Sequence, residues 1–335
     1  MEQLGLEGMP RRLYTCTPSR LNTWLDCRRR YRFTYLDRPA PPKGPPWAHN
    51  SVGASVHNAL AAWWREPYER RTPLMAAILL TNGWIREGFR DDEQSAVWRD
   101  RARDMVSAYS GTLDPADEPV GVERVVATRT SVISVSGRVD RLDRRGDELV
   151  VVDYKTGRRP LTGDDARSSI ALALYAVASS RMMHRRCRRV ELHHLPTGSI
   201  VEWEHTDESL GRHLRRAEEI ALEAAAADEA YRAWASAHPS PRVPAQRRDG
   251  GTSADTRGAP AAGPPGAGAE EGGDAAPGAR RLPPEIEAIF LPEPGPICSW
   301  CDYRRHCPEG RAASPDRLPW DGLAVTDPVE DAGTA

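Results

Sequence analysis

The apolar positions of this chain recur with a helical period at both ends and with a period of two in the middle. Leu21, Trp24, Leu25, Tyr31, Phe33, Tyr35 and Leu36 predict one amphipathic helix over residues 19–36, with Ser19 at its cap. Beyond a proline-rich loop at 39–46, the run SVGASVH leads into Leu60, Trp63 and Trp64 as a second helix, with His57 near its start. Residues 73–110 read as two packing helices. From Val120 the alternation changes: Val122, Val125 and Val126 predict one strand, with Glu123 inside it, and Val132, Ile133 and Val135 its partner. Residues 137–157, GRVDRLDRRGDELVVVDYKTG, read as a hairpin turned at Arg144-Arg145-Gly146-Asp147. A helix over 164–183 follows, then a strand pair turned by Pro196-Thr197-Gly198, then a long helix capped by Thr206-Asp207. Helices before and after a block of strands predict an α/β fold.

Residues 239–284 break this pattern. They are rich in Gly, Ala and Pro, contain no aromatic residue, and cannot bury enough surface to offset their conformational entropy. The expected organisation is therefore a flexible leader at 1–17, a folded core at 18–238, a disordered insertion at 239–284, a cysteine-bearing segment at 285–310 and an acidic flexible tail at 311–335.

Charge refines the picture through its distribution. The 335 residues carry a net charge of −2. Residues 11–38 nevertheless hold eight Arg against two Asp, and residues 181–189 hold five Arg and no acid. Such runs can line a positive channel on a neutral protein. Lys43 and Lys155 are the two lysines of the chain. A lysine set two residues after an aspartate thus stands out, because arginine does not act as a compact point charge. No apolar run reaches membrane-spanning length and no signal sequence opens the chain, so a cytoplasmic protein without membrane contact is expected.

Two constellations carry candidate chemistry. Asp153 and Lys155 leave one face of a strand, and Asp140 ends the neighbouring run; the two acids can share Mg²⁺ or Mn²⁺ while Lys155 orients water or stabilises charge on a phosphate. An ordinary surface Asp–Lys pair has the same spacing. Cys298, Cys301 and Cys307 lie within ten residues, and Cys16, Cys27 and Cys187 are the candidates for a fourth ligand. Four thiolates suit zinc or an iron–sulfur cluster, and spacing does not choose between them. Phosphate-binding GxxxxGK[ST], dinucleotide-binding GxGxxG and GxSxG nucleophile motifs are missing from the sequence.

Four stretches, SRLNTWLDCRRRYRFTYL, GASVHNAL, GRVDRLD…VVVDYKTG and CSWCDYRRHCP, together resemble the PD-(D/E)xK nucleases, specifically RecB-type nucleases of the AddB-like iron–sulfur subset. The resemblance implies a restriction-endonuclease-like core, a central mixed β-sheet flanked by helices, closed by an iron–sulfur staple. It implies metal-dependent DNA hydrolysis in repair or recombination, on single- or double-stranded DNA, with a helicase as a compatible partner. It matches His57, Asp140 and Asp153 to metal ligands, with Glu123 near a further acid. Asp140, Asp153 and Lys155 match the catalytic set. Cys27, Cys298, Cys301 and Cys307 match the ligands of a [4Fe–4S] cluster. Arg20, Arg28, Arg29, Arg30, Arg32 and Tyr175 are the expected DNA contacts. Three departures stand out: Val139 replaces the family proline, Arg28 the proline after the first cluster cysteine, and Ala171 a glutamine. The last favours an alternative, a nuclease-fold DNA-binding scaffold with weak or no cleavage. A zinc-stapled RNA-processing protein is the third reading.

Overall fold

The computed structural model describes residues 13–239 and 282–323. Six strands form a mixed sheet: β1 (Tyr14–Cys16), β2 (Gly121–Arg129), β3 (Ile133–Arg145), β4 (Glu148–Lys155), β5 (Cys187–His194) and β6 (Ser199–Glu204). Their order is β1-β3-β4-β5-β6, with β2 also paired to β3. The β1–β3 and β4–β5 pairs are parallel, the others antiparallel. The α/β core with a central mixed sheet is thus the observed architecture.

The helices are α1 (Pro18–Asp26), α2 (Arg28–Tyr35), α3 (Ala48–Trp63), α4 (Pro73–Asn82), α5 (Asp92–Ser110), α6 (Gly163–Ser168), α7 (Ile170–Met183), α8 (Asp207–Ala237), α9 (Pro284–Glu287) and α10 (Pro308–Ala313). Alternation along β4 divides them between the two faces. Val150, Val152 and Tyr154 pack into a core with α3, α4 and α5. Leu149 and Val151 enter the opposite core with Leu172, Ala173 and Ala176 of α7. A third core joins α1, α2, β1 and α8, and includes Trp24, Tyr31 and Phe290. Each fully buried Leu, Val or Phe in these cores contributes about 1.5–3 kcal/mol of transfer free energy.

The structure corrects several boundaries. The helix expected over 19–36 breaks at Cys27, whose backbone is extended (φ −172°, ψ 118°) and whose Sγ accepts the Arg30 N–H at 3.5 Å. The helix expected over 164–183 breaks at Ser169, whose Oγ accepts the Leu172 N–H at 3.2 Å. In both, a side-chain acceptor competes with the helical ladder, ending one helix and capping the next. The strand expected around Val132–Val135 and the first hairpin run are one strand, β3. Part of the expected leader is also ordered, because Tyr14, Thr15 and Cys16 pair with Ile133, Ser134 and Val135. At the other end, residues 311–313 belong to α10, and Leu323 is buried in the α3 core. Residues 1–12, 240–281 and 324–335, which hold the rest of the expected leader, insertion and tail, lie outside the described residues.

Candidate active site

The hairpin ladder stops where the acids begin. Its last rung at that end pairs Arg141 with Val152, so Asp140 and Asp153 are the next residues across. There Asp140 Oδ2 accepts the Tyr154 N–H at 2.8 Å, a side chain taking over from the missing ladder bond. The other carboxylate oxygen of Asp140 lies 3.3 Å from His57 Nδ1. Period-two alternation sends Tyr154 into the α3 core and leaves Asp153 and Lys155 on the other face, where they form an ion pair.

Local sequence explains why α3 delivers His57 here. Gly53 is one helical turn earlier, and a Cβ at that position would meet Thr156 Oγ1 at 3.3 Å. The glycine lets the helix lie close to the end of β4. His57 Nε2 then donates to the Tyr154 carbonyl at 3.2 Å, which directs Nδ1 toward Asp140. Burial lowers the pKa of His57, but the Asp140 hydrogen bond and the charges of Asp140, Asp153 and Glu123 outweigh it, so the net shift is upward. The site thus attracts positive charge, a proton or a cation.

Glu123 completes the group. Ligand atoms of His57, Glu123 and Asp140 lie within 4.8 Å of one another. Two carboxylates and an imidazole in that space fit a divalent cation that favours oxygen ligands. Glu123 also has φ +48°, a left-handed backbone that costs a non-glycine residue about 1–2 kcal/mol. A Glu123→Gly variant should therefore lose no stability in urea, or gain about 1 kcal/mol. Its affinity for Mn²⁺, read by calorimetry, should fall at least about tenfold, the size expected for a lost ligand contact. Comparable Mn²⁺ affinity would remove Glu123 from the cation site.

Asp153 is not in the three-residue group; its carboxylate is held by Lys155. Burial pushes its pKa up, the Lys155 charge opposes this, and the charge of Asp140 adds to it. Tyr175 stands beside the acids because β3 has Gly137 beneath it: a Cβ there would meet the ring at 2.4 Å. Burial and the charges of Asp153 and Asp140 push the Tyr175 phenol up to about 12, so it remains a neutral hydrogen-bond donor.

A cavity opens from Asp153 and Lys155, lined also by Asn22, Arg158, Arg159, Ala171 and His194. His194 Nε2 donates to the Gly157 carbonyl at 2.6 Å and Nδ1 accepts from Thr197 Oγ1 at 2.7 Å, which ties the loop after β4 to β5. Asn22, Arg158, Arg159 and His194 are not among the residues that the sequence singles out. The basic pair directly after KTG was a usable signal; the placement of Asn22 and His194 needed the fold.

A sequence model of the PD-(D/E)XK nuclease superfamily matches residues 15–308. This chain belongs to that superfamily. Among solved structures, it is similar to a crystal structure titled "Putative exonuclease" from Eubacterium rectale, at 10% identity and a TM-score of 0.40. That alignment covers 65% of this chain and 84% of the other. No curated protein matches. No helix among the described residues of this superfamily member is long and apolar enough to cross a membrane.

The cysteines of the nuclease chain sort into two sets. Cys27, Cys298, Cys301 and Cys307 line one cavity together with Phe33 and Tyr303. Gly310 closes it: a Cβ there would sit 3.4 Å from Cys307 Sγ and 3.5 Å from Cys298 Sγ. Cys307 Sγ accepts from Gly310 N–H at 3.4 Å and from Arg29 at 3.7 Å. The break at Cys27 is what turns this thiol out of the helical run. Cys16 and Cys187 are buried in other cores, and burial pushes their thiols up to about 11 and about 12.

Most of the arginines expected to contact DNA have partners within the chain. Arg20 reaches the fully buried Asp228 at 2.7 Å and Tyr31 at 2.9 Å. Arg28 pairs with Glu223, Arg29 with Glu309, Arg30 with Asp26 and Arg32 with Asp37. In the second run, Arg181 binds Thr128 and the Arg129 carbonyl, and Arg186, Arg188 and Arg189 pair with Glu148, Asp207 and Glu202.

Proposed function

We propose that this chain is a Mg²⁺- or Mn²⁺-dependent deoxyribonuclease of the RecB exonuclease type, acting in DNA repair or recombination. The observation that carries the reading is the gathering of His57, Glu123 and Asp140 around one point, beside the Asp153–Lys155 pair. A bound divalent ion would polarise the scissile phosphate and make water a stronger nucleophile. The chain's own groups do the rest. Tyr154 N–H fixes the Asp140 carboxylate, and Tyr154 C=O fixes the His57 ring. Asp153 holds Lys155 beside the cavity, where its ammonium stabilises negative charge growing on the phosphate oxygens.

The test is degradation of end-labelled single- and double-stranded DNA with Mg²⁺ or Mn²⁺. Cleavage should vanish with EDTA and return with excess cation. DNA binding without cleavage under any divalent cation would favour the scaffold reading, which Ala171 on the cavity wall supports. A partner helicase is compatible with either outcome.

The same proposal includes a [4Fe–4S] cluster on Cys27, Cys298, Cys301 and Cys307, tying α2 to the C-terminal segment. Supporting it, the four cysteines line one cavity, while Cys16 and Cys187 are buried in other cores. Four thiolates suit a cluster or zinc, and colour separates the two. Protein purified without oxygen should be brown with broad absorption at the blue end of the visible range, and Cys307→Ser should lose most of it. A colourless protein with one equivalent of zinc would establish the zinc alternative.

A further inference from the structure

Bordering α6, as the active-site cavity does, is a second concavity, lined by Arg167, Trp203, Ser209, Arg212, His213 and Arg216. Helical spacing puts Ser209, Arg212, His213 and Arg216 on one face of α8. The floor is fixed. His213 Nε2 donates to the Arg167 carbonyl at 3.1 Å, joining α8 to α6, and the Arg167 guanidinium lies 5.8 Å from the Trp203 ring centre.

Three features mark this hollow as built for an anion. Arg212 and Arg216 are like charges at i and i+4, an arrangement that slightly destabilises a helix. Arg212 has no acidic partner among the described residues, and the partners of Arg167 and Arg216 are exposed near neighbours in sequence, Asp164 at 2.8 Å and Glu219 at 3.2 Å. Such exposed pairs are worth well under about 1 kcal/mol and exchange readily for a phosphate. Finally, Trp203 lines the hollow, and its Nε1 is buried without a hydrogen-bond partner among the described residues. Glu204 is an acid on the same wall, and three guanidiniums outweigh it.

Position gives the feature its meaning. The six-residue α6 is a wall of both hollows: Asp165 lines the cavity of Lys155, and Arg167 and Ser168 line the other. The helix is about 9 Å long and about 10 Å thick, a step of one or two nucleotides. We propose that the strand entering the active site continues around α6 and seats its phosphates on Arg167, Arg212 and Arg216. The strand is single, because duplex DNA is stiff over about 150 base pairs and does not follow so tight a path. This rests on the nuclease reading and adds where its polyanionic substrate runs.

The test is binding of a fluorescein-labelled oligo(dT) to the full chain in EDTA across a NaCl series, followed by anisotropy, with cleavage measured separately. Three lost phosphate contacts at about 0.7 each should lower the log–log salt slope by about 2 in the Arg167→Ala/Arg212→Ala/Arg216→Ala variant. Low-salt affinity should fall at least about tenfold. The triple Arg→Lys variant, which keeps the charges, should hold the wild-type slope and separates charge loss from misfolding. An unchanged slope in the alanine variant overturns this strand path and leaves the nuclease reading standing if wild type cleaves. Wild type that neither binds nor cleaves overturns both.

Discussion

Asp140→Asn should lower metal-dependent cleavage by about 10³-fold or more while leaving the fold intact. The amide oxygen can still accept the Tyr154 N–H, so the bond that replaces the ladder survives. What is lost is the charge 3.3 Å from His57 Nδ1, at the centre of the only three-ligand group among the described residues. Asp153→Ala should be as damaging for a different reason. It frees Lys155, whose ammonium then has no fixed position beside the cavity. The two variants should separate in calorimetry: Asp140→Asn should weaken Mn²⁺ binding more than Asp153→Ala. Single-turnover cleavage of labelled DNA is the second readout. Wild-type rates in Asp140→Asn would mean that catalysis lies elsewhere.

The second large effect is on stability. On β5, the strand paired with β4, lies a buried network. Glu191, 2% exposed, accepts from His193 at 2.9 Å and from both terminal nitrogens of Arg145, and His193 accepts from Tyr109 at 2.7 Å. Burial raises the pKa of Glu191, but the His193 and Arg145 hydrogen bonds and the Arg145 charge outweigh it and hold the carboxyl down at about 2, from 4.5. A folded-state pKa below the unfolded one stabilises the fold above the unfolded pKa, and that contribution is lost as pH falls through the folded pKa. The difference is worth about 3 kcal/mol. Glu191→Gln should therefore cost about 3 kcal/mol near neutrality. In urea titrations the gap from wild type should narrow below pH about 4.5 and close near about 2. A constant gap from pH 7 to 3 would show that the charge of Glu191 is not what stabilises the network.

Much of this protein was legible in one dimension because its signals are local. The valine run Val150, Val151, Val152 after a Gly-containing turn located β4, and the period of two along a strand placed Asp153 and Lys155 on one face. The wide reach of Cys27 to Cys307 was visible through motif resemblance, although spacing alone left Cys16 and Cys187 in contention. The arginine runs were legible but their partners were not, for a physical reason. A charge count along the chain is blind to acids far away in sequence, such as Asp228 and Glu309, which occupy Arg20 and Arg29.

The sequence by itself determined the α/β class and the hairpin, and it placed Asp153 and Lys155 on one strand face with Asp140 on the neighbouring run, since periodicity and turn chemistry act over a few residues. Only the tertiary structure brings ligand atoms of Glu123 within 4.8 Å of those of His57 and Asp140, with a left-handed backbone at Glu123, and pairs Asp153 with Lys155. It alone decided that Cys27 shares a cavity with the three C-terminal cysteines, and that Arg167, Arg212 and Arg216 meet beside α6. These are contacts between segments far apart in the chain, and they form only when the cores pack.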